Sequence, residues 1–199
     1  MNSNKTHVLI VTDLDGTLLG HNNYDLGGVS QALAKLGARG WPVIINTSKT
    51  AQEVRQLQNQ LGLYAPCVVE NGGAIVCHPD SDWQPFNSQT LVLGASQSEL
   101  APIVAQYSAQ WRFARLSQLS IEAIVALTGL TPSSAEQARQ RQYSEPLVWQ
   151  DTPEHLEHFG RELHQQGLHL VQGGRFVHVI GDTDKALAMQ RLSQAYEAQ

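Results

Sequence analysis

The sequence predicts an α/β protein whose core is a parallel, doubly wound sheet, and three observations indicate this fold. Short apolar runs at Val8–Val11, Val43–Ile45 and Cys67–Val69 are typical of buried parallel strands. Stretches with helical spacing of apolar residues lie between them, at 27–39 and 51–61. Each apolar run also ends in polar residues. Because right-handed crossovers keep such strands parallel, we expect these polar ends to meet at one edge of the sheet.

The first strand ends in two carboxylates on alternate positions, Asp13 and Asp15, followed by Gly16 and Thr17. In an extended chain the two carboxylates would share a face, and Gly16 would let the chain turn away sharply. Two acids this close repel each other unless a cation intervenes, and oxygen ligands suit a divalent metal such as Mg²⁺. The alternative is an ordinary Asp-Gly turn after a strand.

The second strand runs into Thr47-Ser48-Lys49-Thr50, where the predicted helix 51–61 begins. Hydroxyls and free backbone N–H groups at a helix start can hold an anion, and Lys49 would add positive charge. The alternative is that Ser48 or Thr50 only caps this helix. The third strand ends at Glu70-Asn71-Gly72-Gly73, which on its own predicts a turn that opens a hairpin with the apolar run 74–76.

Composition agrees with a globular protein that can bury a core, since 42% of its 199 residues are hydrophobic and 16% are charged. The formal charge of −5 gives no reason to expect nucleic acid or an anionic membrane as a partner. No apolar run approaches the roughly 20 residues that span a bilayer, and residues 1–7 lack the apolar centre of a signal peptide. Cys67 and Cys77 lack the spacing of a zinc or disulfide motif, so we expect buried thiols and a cytoplasmic location.

The texture of the sequence changes near Asp80, where a Pro- and Asp-rich stretch predicts a linker. We expect a core domain at 1–80 and 174–199 and an inserted α/β cap domain at 81–173. A last strand at 176–180 would return to the core and lead through Gly181–Lys185 into a final helix. The cap would contain strands at 91–93, 146–149 and 168–171, and helices at 96–110, 120–127, from 131, and at 153–166.

The unusual segment of the predicted cap is 138–146, which contains Arg141 and Glu145. An arginine near a helix C-terminus interacts favourably with the helix dipole, so an exposed helix end is one interpretation. The other is a binding site, since an arginine fork suits a carboxylate and a glutamate can accept from hydroxyl groups.

The string Asp13–Leu19 resembles the first motif of the haloacid dehalogenase (HAD) superfamily. The resemblance implies a HAD-like Rossmannoid core and a phosphatase in which Asp13 is the nucleophile and Asp15 the general acid/base. It further implies that Mg²⁺ is held by the Asp13 side chain and the Asp15 backbone carbonyl. Thr47 and Lys185 would be the second and third motifs, which hold the phosphoryl group, while Asn71 and Gly72 would lie beneath the substrate.

Within this superfamily the chain is similar to the mannosyl-3-phosphoglycerate phosphatase family, which has a type IIB cap. The similarity rests on 47–50, 127–131, Arg141, 144–146 and 173–178, and it runs from about residue 6 to about residue 192. It implies a phosphorylated glycoside as substrate, with mannosylglycerate, a compatible solute, as product. Arg141 and Glu145 would then contact the glycerate carboxylate and the sugar hydroxyls, and Lys49 would add charge at the phosphoryl site.

The sequence departs from the family after Lys185, because it ends at Gln199 without the later acidic motif that supplies a third metal ligand. A truncated gene product, a fragment, or replacement by Asp182 and Asp184 would each explain this. Absent core strands would leave an open sheet edge that favours a homodimer. We expect the Lys185 ammonium to lie about 2.7–3.2 Å from an Asp13 oxygen, directly or through water. The competing functions are another sugar-phosphate phosphatase and a catalytically impaired binding module.

Overall fold

The computed structural model describes residues 8–18 and 29–198, and the first of its two sheet regions contains five strands. β1 and β2 pair in parallel, and an isolated parallel bridge between Asn46 and Val68 continues the pairing from β2 to β3. β3, β4 and β5 pair antiparallel, so the predicted hairpin follows the third strand. The bounds are β1 (Ile10–Thr12), β2 (Val43–Ile45), β3 (Cys67–Val69), β4 (Ala74–Val76) and β5 (Leu91–Val92).

Two helices follow the first strands, α1 (Val29–Gly37) and α2 (Ala51–Leu61). The start of α2 is held by a capping box, in which the Thr50 side chain accepts from the Glu53 backbone N–H and Glu53 reaches back to Thr50. The capping interpretation of this segment is therefore confirmed for Thr50. The helix predicted from residue 27 is described only from Val29 onward, because residues 19–28 lie outside the described ranges.

The alternating side chains of β2 show that the first sheet is covered on both faces. Val43 and Ile45 pack in one buried cluster with Leu33 of α1 and Val54 of α2. Ile44 packs in a different cluster, which also contains Ala188 and Leu192 of the last helix, α7 (Lys185–Glu197). Helices on both faces of a sheet that contains parallel strands are the doubly wound arrangement that the sequence predicts.

The second sheet has four antiparallel strands in the order β6-β7-β9-β8. One face packs against two helices in a cluster that includes Leu147, Phe159, Leu163 and Val179. The bounds are α3 (Gln97–Gln106), β6 (Phe113–Arg115), α4 (Ile121–Thr128), α5 (Pro132–Arg139), β7 (Ser144–Trp149), α6 (Pro153–His164), β8 (His169–Gln172) and β9 (Val177–Ile180).

Strand pairing favours domain boundaries other than the two that the sequence suggested. β5 pairs with β4 of the first sheet, so the chain is still part of the core beyond residue 81. The strand predicted to return to the core is β9, and it pairs with β7 and β8 inside the second sheet. We therefore propose a core of 8–94 and 181–198 with a cap of 95–180, in place of boundaries at 81 and 174.

The two connections between these units run side by side. A Cβ atom on Gly181 would overlap the backbone N of Ala95, and one on Gly94 would come within 2.8 Å of the Thr183 side chain. Glycine at Gly181 is therefore required by close backbone approach, since any side chain would push the connections apart.

Cys67 and Cys77 are both free and buried, as the sequence predicts. Burial raises the pKa of Cys67 to about 12, so this thiol stays protonated and unreactive at neutral pH. None of the helices in the described ranges combines the length and apolar character that crossing a bilayer requires.

Candidate active site

The carboxylate of Asp13 lies at the C-terminal end of β1, where it contacts the first residue of α7. Its Oδ2 is 3.3 Å from Nζ of Lys185, and its Oδ1 accepts a hydrogen bond of 2.8 Å from the Leu14 backbone N–H. Both side chains of the ion pair are partly exposed, at 45% and 36%. Asp13 and Lys185 thus form the expected ion pair, but at 3.3 Å the contact is just longer than the hydrogen-bond range that the sequence analysis predicts.

A second carboxylate–lysine pair lies beside the first. Lys49 Nζ is 3.2 Å from Oδ1 of Asp15 and 3.8 Å from Oε1 of Glu53. The Lys49 side chain is mostly buried, whereas that of Asp15 is 54% exposed. Asp15 therefore offers an accessible carboxylate at the sheet edge, held in position by a buried cation.

Thr47 is fully buried at the end of β2, between the first strand and the third. Its Oγ1 accepts from the Lys49 backbone N–H at 3.2 Å, and its backbone N–H donates to the Val68 carbonyl at 3.0 Å. The preceding residue, Asn46, donates from Nδ2 to the Lys185 carbonyl at 3.2 Å and so ties β2 to the start of α7. Asn46 was not singled out in the sequence analysis. Its position at the end of a parallel strand was the feature that could have marked it as a residue of this site.

Asn71 and Gly72 belong to a buried 3₁₀ turn, Glu70–Gly72, that follows β3. The Asn71 backbone N–H donates to the Thr47 carbonyl at 3.0 Å, which places this turn against the second motif. Asn71 Nδ2 is buried and has no hydrogen-bond partner in the described part of the chain. A buried amide donor left unpaired is unusual and is consistent with a group that meets a ligand.

Arg141 connects the second sheet region to the edge of the first sheet where β1 and β2 end, which we call the catalytic edge. Its Nη1 donates to the Ser48 carbonyl at 2.6 Å, and its Nε donates to the Ala138 carbonyl at 3.0 Å. Arg141 therefore lies beside the segment that contains Thr47 and Lys49, and it is not a freely solvated helix end.

Glu145 does not have the position that its proposed role in binding sugar hydroxyls requires. It is fully buried, and its carboxylate accepts from the side chains of Gln97 (2.8 Å) and Ser117 (2.6 Å) and from the Ser117 backbone N–H (3.3 Å). Successive strand side chains point to opposite faces, and Leu147, two residues on, packs under the helices. Ser144 has the opposite orientation and contacts the core. Burial raises the pKa of Glu145, and no oxygen is left open for a substrate.

Asp182 and Asp184 also have other partners. Asp182 is 89% exposed, and its Oδ1 is 3.1 Å from Nε2 of His169 in the second sheet. Asp184 caps α7 by accepting from the Leu187 backbone N–H at 2.6 Å. In this structure neither carboxylate replaces the acidic motif that the family has after the third motif.

His178 is a functional candidate that the sequence named only as part of a string. It is buried in β9, and its Nδ1 has no hydrogen-bond partner among the described residues. Burial lowers the pKa of His178 to about 3, and the positive charges of Arg141 and Lys185 act in the same direction. The ring is therefore neutral at physiological pH and lies near both cations.

The donor set at the end of β1 suits magnesium in part. Mg²⁺ prefers oxygen ligands and is often bound by one or two carboxylates together with substrate phosphate and water. The exposed carboxylates of Asp13 and Asp15 fit that description. The described ranges contain no group of three or more Asp, Glu, His or Cys side chains that could hold a metal.

Comparison with known proteins identifies the family of this chain. A family model described as haloacid dehalogenase-like hydrolase matches residues 10–170. A relative from Persephonella marina is named glucosyl-3-phosphoglycerate/mannosyl-3-phosphoglycerate phosphatase. It is 31% identical over an alignment of 199 positions that covers 96% of this chain and 73% of the relative.

Solved structures share the fold at low sequence identity. The protein 0175 of Thermoplasma acidophilum superposes with a TM-score of 0.70 at 17% identity, over 96% of this chain and 72% of its own. A HAD-superfamily phosphatase of Bacteroides thetaiotaomicron gives 0.69 at 15%, over 99% and 75%. The sugar phosphatase BT4131 of HAD subclass IIB gives 0.67 at 12%, over 96% and 76%.

Proposed function

The chain belongs to the haloacid dehalogenase-like hydrolase family and is a phosphatase, and on that premise we propose that it hydrolyses a glycosylated 3-phosphoglycerate with the help of Mg²⁺. The products would be the glycosylglycerate, such as mannosylglycerate, and inorganic phosphate. The observation that carries this proposal is the double ion pair at the sheet edge, where Asp13 meets Lys185 and Asp15 meets Lys49.

The two carboxylates would have separate roles because their surroundings differ. An Asp13 oxygen attacks phosphorus, the bond between phosphorus and the alcohol oxygen breaks, and the alcohol takes a proton from Asp15. Water then attacks the aspartyl-phosphate and returns a proton to Asp15, which frees phosphate and Asp13. Asp15 is the more exposed of the two acids, so its carboxyl group is accessible to the leaving alcohol and to water for these proton transfers.

Positive charge beside the nucleophile would stabilise the transferring phosphoryl group. Lys185 lies where it can neutralise the phosphoryl oxygens as Asp13 gives up its own charge to the new bond. The buried Thr47 hydroxyl after β2 and the Asn71 Nδ2 after β3, which has no partner among the described residues, would be neutral donors to the phosphoryl group. Mg²⁺, held by Asp13 and the Asp15 carbonyl, would supply further charge neutralisation to the phosphate.

The substrate assignment rests on the Persephonella marina relative and on Arg141. Because that relative is 31% identical to this chain, the glycosylated 3-phosphoglycerates in its name are the substrates proposed for this chain. The Arg141 guanidinium is held beside Ser48 by its Nε and Nη1 groups, and its Nη2 group would donate to a glycerate carboxylate. Glu145 is left out of the proposed substrate contacts, because its carboxylate is buried and fully engaged.

Phosphate release by the 199-residue chain tests the proposal. The chain is incubated with MgCl₂ and, in separate reactions, mannosyl-3-phosphoglycerate, glucosyl-3-phosphoglycerate, mannose 6-phosphate and p-nitrophenyl phosphate. We expect the two glycosylated phosphoglycerates to have the highest kcat/KM, and activity to require Mg²⁺. Preference for a simple sugar phosphate would reassign the substrate, and no release from any of the four would favour the impaired binding module.

A further inference from the structure

Three consecutive residues after β3 have left-handed backbone conformations. Glu70, Asn71 and Gly72 have φ values of 50°, 61° and 96°, and all three are buried. Glycine adopts such values freely, but for Glu and Asn they are uncommon and cost free energy. A strained, buried segment persists only where its surroundings hold it, so its contacts indicate what the strain serves.

The Glu70 carboxylate faces the cap and accepts three hydrogen bonds from consecutive residues. The backbone N–H of Gln142 donates to Oε1 at 3.0 Å, and that of Tyr143 donates to Oε2 at 3.1 Å. The Ser144 hydroxyl donates to Oε2 at 2.6 Å. Glu70 is only 1% exposed, so these donors replace the water that a carboxylate would otherwise need.

The backbone of the same segment faces the catalytic edge. Glu70 N–H donates to the Lys49 carbonyl and Asn71 N–H donates to the Thr47 carbonyl, both at 3.0 Å. The Gly72 carbonyl accepts from the Thr183 hydroxyl at 2.9 Å. A Cβ atom on Gly72 would overlap the Asp184 carbonyl, so the turn lies directly against the start of α7.

We propose that Glu70 is a positioning residue that couples docking of the cap to the arrangement of Thr47, Lys49 and Lys185. Its carboxylate is held by the cap, and its own turn is hydrogen-bonded to the residues beside the phosphoryl site. When 142–144 hold the carboxylate, the left-handed turn is fixed and the second and third motifs are fixed with it. The roles of Thr47, Lys49 and Lys185 in this inference rest on the proposed function, whereas the structural coupling does not.

Glu70→Gln is the direct test of the coupling. It keeps the size of the side chain but replaces one acceptor oxygen with an NH₂ group, which cannot accept from the donors of 142–144. Ser144→Ala removes one of the three donors and is a milder variant that retains the carboxylate. Glu99→Gln is the matched control, since this exposed carboxylate also accepts from a backbone N–H and a hydroxyl, both of Ser96, but at the start of α3.

Amide hydrogen exchange measures the coupling without any need for activity. In Glu70→Gln we expect exchange on the order of tenfold faster in 47–50 and 183–187, the size of effect that an unpaired buried group produces. Ser144→Ala should show a smaller change in the same two segments, and Glu99→Gln no change there. Exchange that stays at the wild-type rate in these segments, or that rises equally in α3 and α6, would overturn the coupling.

Kinetics on p-nitrophenyl phosphate, which has no sugar, test the catalytic consequence. We expect Glu70→Gln to lower kcat on the order of tenfold with KM changed less than about twofold, because the phosphoryl site is displaced but still open. A change in KM alone would contradict a role in positioning the catalytic edge. If the wild-type chain hydrolyses no phosphomonoester, the proposed function fails, and the exchange data still decide the coupling.

Discussion

The ammonium group of Lys185 lies 3.3 Å from Oδ2 of Asp13, although almost the whole chain separates the two residues. The contact exists because α7 begins at the same sheet edge at which β1 ends. It follows that Lys185→Met should leave the fold intact and lower kcat for any phosphomonoester by about 100-fold, the usual cost of losing one transition-state charge contact. Lys35→Met, on the exposed side of α1, is the matched control and should retain wild-type kcat.

Removing the charge of Asp13, the proposed nucleophile, should lower activity more than removing the charge of Lys185. Asp13→Asn preserves size and the hydrogen bond from Leu14 but removes the negative charge that attacks phosphorus. We expect phosphate release to fall by roughly three orders of magnitude or more. Circular dichroism and the Tm should stay close to wild type. Substantial turnover by a folded, purified Asp13→Asn protein would refute the aspartyl-phosphate mechanism.

Arg141→Ala separates substrate recognition from docking of the cap. If Arg141 receives a carboxylate of the substrate, KM for mannosyl-3-phosphoglycerate should rise about tenfold or more, while KM for p-nitrophenyl phosphate changes little. Arg139→Ala serves as control, because that arginine pairs with Glu136 on α5. Equal effects of Arg141→Ala on both substrates would mean that the residue acts only through its bond to Ser48.

Glu145→Gln should affect stability and leave substrate affinity unchanged. The carboxylate lies among Gln97 and Ser117 on the helix-covered side of the second sheet, so its loss disturbs only the hydrogen bonds there. We expect a decrease of about 1 kcal/mol in the free energy of unfolding. KM for the glycosylated substrate should stay within about twofold. A rise in KM comparable with that of Arg141→Ala would restore Glu145 to the substrate site.

The buried neutral ring of His178 should make the folded protein less stable in acid. Burial lowers its folded-state pKa from 6.5 to about 3, so folding favours the neutral ring. The free energy of unfolding is unaffected by this histidine above about pH 6.5, where its ring is neutral in both states. It falls by up to about 1.4 kcal/mol per pH unit as the pH drops toward 3, because only the unfolded state binds the proton there. Urea unfolding across this range should show a shallower pH dependence in His178→Gln than in wild type. His158→Gln, at an exposed position of α6, should keep the wild-type slope.

The parallel part of the core and most of the catalytic edge could be predicted from the sequence. The strands at 43–45 and 67–69 and the helix at 51–61 have the predicted bounds. Local patterns suffice there, because a buried parallel strand is a continuous apolar run and its polar end must lie at the active edge of an α/β sheet. The pairing of Asp13 with Lys185 was an expectation from the family resemblance, which identifies Lys185 as the third motif.

Glu145 shows where sequence reasoning could not succeed. A strand side chain faces one side or the other according to the register of the sheet, and Ser144-Glu145-Pro146 does not reveal which face will be covered by helices. The pairing of β7 with β9 turned Ser144 toward Glu70 and Glu145 away from it. The same pairing placed β9 in the cap, although its sequence suits a strand in either sheet.

The sequence by itself determined the chemistry available to this protein: two acids after a buried strand, a hydroxyl-rich helix start and a lysine at the beginning of a later helix. These features are local, because each depends on residue type and on spacing within one strand or turn. Only the tertiary structure decided which groups are buried, as Glu70 is, and which have no hydrogen-bond partner among the described residues, as is the case for Asn71 Nδ2 and His178 Nδ1. Burial and hydrogen bonding across distant segments arise where turns and helices of the two sheet regions meet, as at Glu70 and 142–144, and no local pattern specifies that packing.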